Sequence, residues 1–161
     1  MDRLNQIYNH PVYAAEYQAL VEDERNRIYC KHGVDHLLEV ARLCYLYCLE
    51  EGVDIDRELV YAAALLHDIG RHQQNATGEP HDQAGARLAK EIMAECGFSE
   101  HEIAMVVDAI GAHRGPMGSD PGTEFSTLLR KADKKSRLCF ICEARDTCNW
   151  PDEKKNMGIE L

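Results

Sequence analysis

The chain has 161 residues, of which 45% are hydrophobic and 29% charged, the composition of one soluble globular domain with a core of its own. Its formal net charge of −10 argues against a general nucleic-acid surface, which requires a basic footprint. A small anionic substrate is not excluded, because a bound metal ion reverses the local charge. No apolar run is long enough to span a bilayer, and the N-terminal residues lack a signal-peptide pattern, so we expect a cytoplasmic protein with no membrane partner.

The predicted elements are all helices. Helical spacing or composition predicts them over residues 2–28 (interrupted at His10–Pro11), 34–50, 59–66, 80–96, from Ser99 to Ile110, and 125–137. No segment alternates with the period of two that a half-buried strand would show, and there is no internal repeat. The sequence therefore predicts an all-α fold, a single-domain helical bundle.

Caps and breakers delimit these helices. Asp54 or Asp56 is placed to cap the helix over 59–66, which is apolar almost all round and is therefore predicted to be central and buried. The polar segment 71–79 is predicted to be a loop. A second loop, rich in Gly and Pro, is predicted over 111–122.

One ordered set of metal-type side chains runs through the predicted bundle: His36, the adjacent pair His67–Asp68, and Asp133. Imidazole nitrogen and carboxylate oxygen suit divalent transition metals, and separated helices bring such groups together when they pack as a bundle. Neighbouring residues in a regular helix point about 100° apart, so His67 and Asp68 can share an ion only where the helix loosens. The following Ile69–Gly70 permits this. Taken alone, a His–Asp pair has an equally good interpretation as a helix cap.

The whole series resembles the HD-domain phosphohydrolase superfamily. The matching segments begin at His36 (HLLEVAR) and span Ala64–Gly70 (ALLHDIG) and Lys131–Lys135 (KADKK). The resemblance implies that the four residues bind one divalent ion, with Fe, Mn, Zn, Ni, Co and Mg not distinguished. It also divides the chain into an N-terminal helical extension over 1–29, an HD core over 30–137, and a Cys-rich tail over 138–161 that packs on the core and has a mobile end.

Two further histidines are candidates for a second metal ion. In HD families that use two metals, two histidines follow the His–Asp pair, and His81 and His113 match those positions. Asp68 is then the natural bridge, because a carboxylate has two oxygens. The alternative is that both histidines are polar surface residues at helix ends.

Several side chains near the presumed ligands suit a phosphorylated substrate. Arg71 and Lys134 are candidates for the catalytic machinery beside Asp68, as is His72, which follows the His–Asp pair where a proton donor would be useful. The candidates for binding substrate phosphate are Arg71, Arg114, Lys134 and Lys135. Each cation taken singly is equally well interpreted as an ordinary surface residue.

The cysteines suggest a second centre. Cys139, Cys142 and Cys148 have the spacing of a zinc or cluster site, and Cys30 is the candidate for the fourth ligand. A structural Zn, an iron–sulfur cluster, and reduced thiols that act as small hydrophobes are the three alternatives.

The resemblance implies a metal-dependent hydrolase that acts on a small phosphate ester or a nucleotide. A di-iron oxygenase of similar ligand set is one alternative, and a non-catalytic nucleotide-binding module is another. The sequence names neither the substrate, the metal nor the oligomeric state.

Overall fold

A computed structural model describes residues 2–112 and 122–159 of the chain. All regular structure in these residues is helical, which confirms the all-α prediction. The α-helices are α1 (Asp2–Asn9), α2 (Pro11–Asp23), α3 (Val34–Glu51), α4 (Arg57–Leu66), α5 (Arg71–Thr77), α6 (His81–Glu95), α7 (Glu100–Ala112) and α8 (Glu124–Lys135). Two single 3₁₀ turns follow, Cys139–Ile141 and Asp152–Lys154.

The helix bounds follow the local signals. The side chain of Asp56, rather than that of Asp54, caps α4 by accepting a hydrogen bond from the Glu58 backbone N–H. Ser99 and Glu102 form a capping box at the start of α7, with the Ser99 N–H donating to Glu102 Oε2 at 2.7 Å. Gly52 closes α3 in the left-handed conformation that glycine adopts without a steric penalty.

Helix α4 is the centre of the bundle. It contacts α1, α3, α6, α7 and α8. The residues from Val60 to Leu66 include five that are completely buried: Val60, Ala62, Ala63, Ala64 and Leu66. The apolar pattern therefore predicted this helix correctly, and its carboxyl end is buried between the surrounding helices.

Residues 71–79 differ from the prediction of a loop, because Arg71–Thr77 form α5. This helix lies between α2 and α6, and Gln73 Nε2 donates to Glu16 Oε1 of α2 at 2.6 Å. The segment has no apolar stripe, so tertiary contacts rather than sequence periodicity stabilise it. The other predicted loop, 111–122, begins later than expected because α7 continues to Ala112; residues 113–121 lie outside the described part of the chain.

The tail beyond α8 folds back onto the bundle. Asn156 Nδ2 donates to the carbonyls of Lys134 and Arg137 at 2.6 and 2.8 Å, and the Asn156 carbonyl accepts from the Phe140 N–H. Tyr29 donates from its hydroxyl to the Thr147 carbonyl at 3.0 Å. The tail is therefore attached to α8 and to the loop before α3. Within the described residues, no helix combines the length and hydropathy needed to cross a bilayer.

Candidate metal centre

The four residues of the predicted ligand set meet at one point. His36 lies in the first turn of α3, His67 and Asp68 follow α4, and Asp133 lies in α8. One ligand atom from each lies within 4.8 Å of the other three. His36 Nε2 is 3.3 Å from Asp133 Oδ1, and His67 Nε2 is 3.1 Å from Asp68 Oδ2. The atoms are spaced as ligands around a single ion would be.

The turn after α4 lets two adjacent residues face the same point. Helix α4 ends at Leu66, and a hydrogen-bonded turn over 67–70 leads directly into α5. A Cβ atom on Gly70 would collide with the His81 carbonyl oxygen and the Gly85 backbone nitrogen. Gly70 therefore allows α6 to approach this turn closely, and that approach brings His81 to the centre.

Four imidazoles share one orientation: each engages Nδ1 with an oxygen and directs Nε2 toward the carboxylates. The Nδ1 partners are Glu24 Oε1 for His32, Ser136 Oγ for His36, the Ala64 carbonyl for His67 and Gln74 Oε1 for His81. The Ala64 carbonyl can only accept, so Nδ1 of His67 carries a proton and Nε2 is the nitrogen available to an ion. Such Nδ1 partners fix the tautomer and ring orientation of histidine ligands in metal proteins.

The carboxylates make the centre strongly negative. Burial acts to raise the pKa of Asp68, but the neighbouring charges of His67 and Arg71 outweigh it and hold the pKa well below its usual range. Burial acts to lower the pKa of His67, but Asp68 and Asp133 raise it to about 10. A positive charge at this point is thus strongly favoured, and a divalent ion would compete with the proton for His67 Nε2.

The buried Oδ2 of Asp68 supports the assignment of a cation site. It accepts no hydrogen bond of normal geometry from the described residues. The Nε2 atoms of His67, His36 and His32 nevertheless lie 3.1, 3.6 and 3.8 Å away. A buried carboxylate oxygen is normally satisfied, and a shared cation would satisfy it here. The residues present therefore fit a bound divalent ion.

The other oxygen of Asp68 faces the proposed second site. His81 Nε2 lies 3.8 Å from Asp68 Oδ1, as expected if His81 belongs to the centre. Arg71 Nε donates to the same oxygen at 2.6 Å. His113 and Arg114, which were predicted to bind the second ion and the substrate phosphate, lie outside the described residues. The second ion stays a prediction.

His32 also lies at the centre, with Nε2 3.8 Å from Asp68 Oδ2. Glu24 accepts hydrogen bonds from both the Nδ1 and the backbone N–H of His32, and both residues are buried. Burial acts to raise the pKa of Glu24, but these hydrogen bonds outweigh it and lower the pKa. The only sequence signal was the spacing of four residues before His36. Helix α3 begins after His32, at Val34, so helical periodicity alone did not place the ring.

A cavity of about 300 Å³ is lined by one of the four candidate ligands, Asp133, by His32, and by three arginines: Arg27, Arg71 and Arg137. Arg137 was not singled out in the sequence. Its Nη2 lies 2.8 Å from His36 Nε2, and its Nη1 donates to the Lys31 carbonyl at 2.7 Å. The one available signal was its position four residues after Asp133 in the sequence.

The remaining predicted site residues lie elsewhere. His72 pairs through Nδ1 with Asp23 Oδ2 at 2.9 Å. Burial and the nearby charges of Arg130 and Lys154 lower the pKa of Lys134. Lys135 lines a separate cavity of about 90 Å³. Neither Lys134 nor Lys135 is among the described residues that line the cavity beside Asp133. Catalytic and phosphate-binding roles for these three residues stay predictions.

The cysteines fall into two groups. Cys44, Cys48 and Cys96 are buried in the apolar core. The four cysteines of the predicted second centre border one cavity of about 410 Å³ beside His36: Cys30, Cys139, Cys142 and Cys148. All seven thiols are free. Among the described residues, the His–Asp centre is a group of potential metal ligands whose atoms all lie within 4.8 Å of one another. No three of the cysteine sulfurs are grouped this closely.

Known proteins share both the sequence and the fold. An uncharacterized protein of Clostridium beijerinckii is 39% identical over 159 residues, which cover 99% of each chain. Ribonuclease Y of Clostridium botulinum is 35% identical over 105 residues, which cover 65% of this chain but 18% of that protein. This chain thus spans about a fifth of the length of ribonuclease Y. A crystal structure of a predicted HD superfamily hydrolase from an uncultured Thermotogales bacterium has a TM-score of 0.65 at 24% identity, over 93% of this chain and 82% of that one.

The family assignment rests on the sequence model of the HD domain, which matches residues 33–145. That range contains all four residues of the metal-ligand set, and the crystal structure from the Thermotogales bacterium supports the same fold. The chain therefore belongs to the HD domain family.

Proposed function

We propose that this protein is a metal-dependent hydrolase of a small phosphate ester or nucleotide. One observation carries the proposal: Asp133 of the His–Asp centre lines a cavity that is also lined by Arg27, Arg71 and Arg137. Arginine is suited to phosphate because its planar fork of N–H donors matches phosphate oxygens. An acidic protein that places three arginines around one cavity is arranged to receive an anion there.

The ligand set supplies the other half of the chemistry. His36, His67, Asp68 and Asp133 would hold a divalent ion. Such an ion would act as a Lewis acid on a phosphoryl oxygen and would lower the pKa of bound water toward neutral pH. The protein's own part is to fix the directions of the ligand nitrogens, as the Nδ1 contacts of the imidazoles do. Fixed ligands need no rearrangement when the substrate arrives.

The arginines have separate tasks. Arg71 is tied to Asp68 Oδ1 and so can contact a phosphate only next to the ligand set. Arg137 borders both this cavity and the larger one beside His36. Arg27, which also lines the cavity, donates from Nε to the Cys30 carbonyl at 2.8 Å, and this hydrogen bond fixes its guanidinium. Together they would neutralise the charge that develops on phosphorus oxygens in the transition state.

His32 is the best-placed described residue for handling a proton. The buried Glu24 carboxylate orients its ring, and its Nε2 lies 3.8 Å from Asp68 Oδ2 at the cavity wall. This is the base-and-orienter geometry that general acid–base catalysis uses. His72, by contrast, is engaged with Asp23 in an exposed contact and does not line this cavity. We therefore assign proton transfer to His32 in preference to His72.

A phosphodiester of ribonucleotides is a second candidate substrate, favoured by the 35% identity to part of ribonuclease Y. The net charge of −10 disfavours a long nucleic acid, so a short oligonucleotide is the form to test.

The proposal is tested by stripping the protein with a chelator and reconstituting it separately with Mn²⁺, Fe²⁺, Co²⁺, Ni²⁺, Zn²⁺ and Mg²⁺. Each form is assayed for phosphate release from nucleoside mono-, di- and triphosphates and for cleavage of ribodinucleotides. We expect turnover that depends on metal and is lost in Asp133→Asn, whereas the exposed His101→Gln serves as the matched control and retains it.

Other results would point to the alternatives. Tight nucleotide binding without turnover by every metal form would replace the hydrolase with a binding module. Oxygen consumption by a form with two irons, without phosphate release, would indicate an oxygenase.

A further inference from the structure

Four thiols from two distant parts of the chain surround one cavity. Cys30 lies in the loop between α2 and α3, and the other three follow α8 with the spacing Cys-x2-Cys-x5-Cys, at Cys139, Cys142 and Cys148. A cavity of about 410 Å³ separates them. Its position outside the apolar core distinguishes these thiols from Cys44, Cys48 and Cys96, which pack as small hydrophobes.

Hydrogen bonds hold the two segments against each other without a disulfide. Tyr29, next to Cys30, donates to the Thr147 carbonyl, next to Cys148. Arg137 donates to the Lys31 carbonyl at 2.7 Å. The Cys142 N–H donates to the Cys139 carbonyl at 3.2 Å, which forms the turn between these two thiols. The sulfurs are thus kept around the cavity by fixed backbone positions.

The charge around the cavity suits an anionic centre. Its basic lining residues are Lys31, Arg137, Arg145 and Lys155, against the two carboxylates of Asp35 and Glu39. Four thiolates with their metal leave a net negative charge, which this excess of cations would balance. Burial raises the pKa of the Cys30 thiol and the nearby Arg137 lowers it, so deprotonation there depends on a metal or a cation.

We propose that Cys30, Cys139, Cys142 and Cys148 bind an iron–sulfur cluster. A single tetrahedral Zn, with Zn–S bonds of about 2.3 Å, requires its sulfurs to lie within about 4 Å of one another. In the described residues no three cysteine sulfurs lie within even 4.8 Å. In a [4Fe–4S] cluster each thiolate binds a different iron, so the sulfurs lie farther apart, around a larger volume. The proposal does not rest on the proposed hydrolase activity, although Cys30 and Cys148 also line the cavity beside Asp133.

The test is elemental analysis of the full-length protein purified without oxygen. We expect about four irons and about four acid-labile sulfides per chain, with visible absorption of the cluster, beyond any iron in the His–Asp centre. The Asp133→Asn variant separates the two centres, because it removes a ligand of the His–Asp centre and should retain all of the sulfide. Cys142→Ser and Cys148→Ser should lose the sulfide, and Cys96→Ser, outside the cavity, should keep it.

Two results would overturn the cluster. One is a single Zn per chain that is lost in the Cys142→Ser variant. The other is wild-type protein, purified without oxygen and treated with iron and sulfide, that contains no sulfide and has four freely alkylated thiols. The second result is measured on the wild-type chain alone, so failure of a variant to fold would not prevent a decision. Failure of hydrolase activity would leave the cluster result unaffected.

Discussion

Arg137 lies with its Nη2 2.8 Å from His36 Nε2, the nitrogen that the metal assignment requires as a ligand. The contact joins the end of α8 to the first turn of α3. Arg137 also lines the cavity beside Asp133, so under the proposed function it would bind an anionic substrate next to the ion. Arg137 is therefore the described residue through which metal binding and substrate binding are most directly connected.

Replacing Arg137 with Ala should weaken substrate binding more than metal binding. Because the hydrogen bond from Nη2 competes for the lone pair of His36, we expect metal affinity to be equal or higher in the variant. Loss of a charge-assisted contact to phosphate should raise KM about 10- to 100-fold. Metal titration by calorimetry and steady-state kinetics separate the two effects. Arg42→Ala, at an exposed position of α3, is the control. A loss of metal affinity in Arg137→Ala would contradict this role.

Metal binding should stabilise the folded protein. Because the ligand atoms come from three separate segments, an ion binds the folded state and not the unfolded one. At a free metal concentration of about 100 times Kd, the gain in unfolding free energy should be about 2.7 kcal/mol. Chelation should remove this gain. Thermal unfolding of wild type and Asp133→Asn, each with and without metal, measures it, and an equal response of both proteins would argue against the assigned ligand.

Gly70→Ala should disrupt the centre through packing alone. The added methyl group would collide with backbone atoms of His81 and Gly85, which cannot rotate away as a side chain can. Overpacking of this kind costs about 1–3 kcal/mol, and we also expect weaker metal binding because Asp68 flanks the turn. Gly111→Ala is the matched control, since a Cβ there meets nothing within 4 Å and α7 should gain from the helix propensity of Ala. Urea unfolding measures both changes, and equal stability of the two variants would refute the packing argument.

The ion pair between Arg3 and Glu102 should make the free energy of unfolding depend on pH in the acidic range. The hydrogen bonds from Arg3, then that from Ser99, lower the pKa of Glu102 to about 2. A folded-state pKa below the ordinary value of about 4.3 means that the stabilisation is present above that value and is lost as pH falls toward 2. Because the pair is partly exposed, its contribution should be about 1 kcal/mol. Glu102→Gln should therefore be less stable than wild type at pH 7, with a smaller difference at pH 3, as measured by urea unfolding. If the difference in stability between the two proteins is the same at pH 3 as at pH 7, the loss comes from the Ser99–Glu102 capping box and not from the ion pair.

Local signals were enough for most helix bounds and for the central four ligands. Helix ends can be predicted from the sequence because capping contacts join residues within one turn of each other, as at Ser99–Glu102, Asp56 and Gly52. The four candidate metal ligands could be grouped from the sequence because imidazole and carboxylate groups at helix ends have few other interpretations when they occur as an ordered set, and the structure places them together. Helix α5 was missed, because contacts with α2 and α6 stabilise it and its own sequence carries no periodicity.

What the sequence by itself determined is the all-α class, the HD ligand set and the presence of four cysteines beyond the core. Only the tertiary structure decided that His32 faces Asp68, that Arg137 contacts His36, and that Cys30 shares a cavity with the tail. Each of the last three depends on residues distant in sequence or outside a regular helix. Local periodicity specifies which face of a helix a residue occupies, but the packing of helices and loops determines which other residues that face meets.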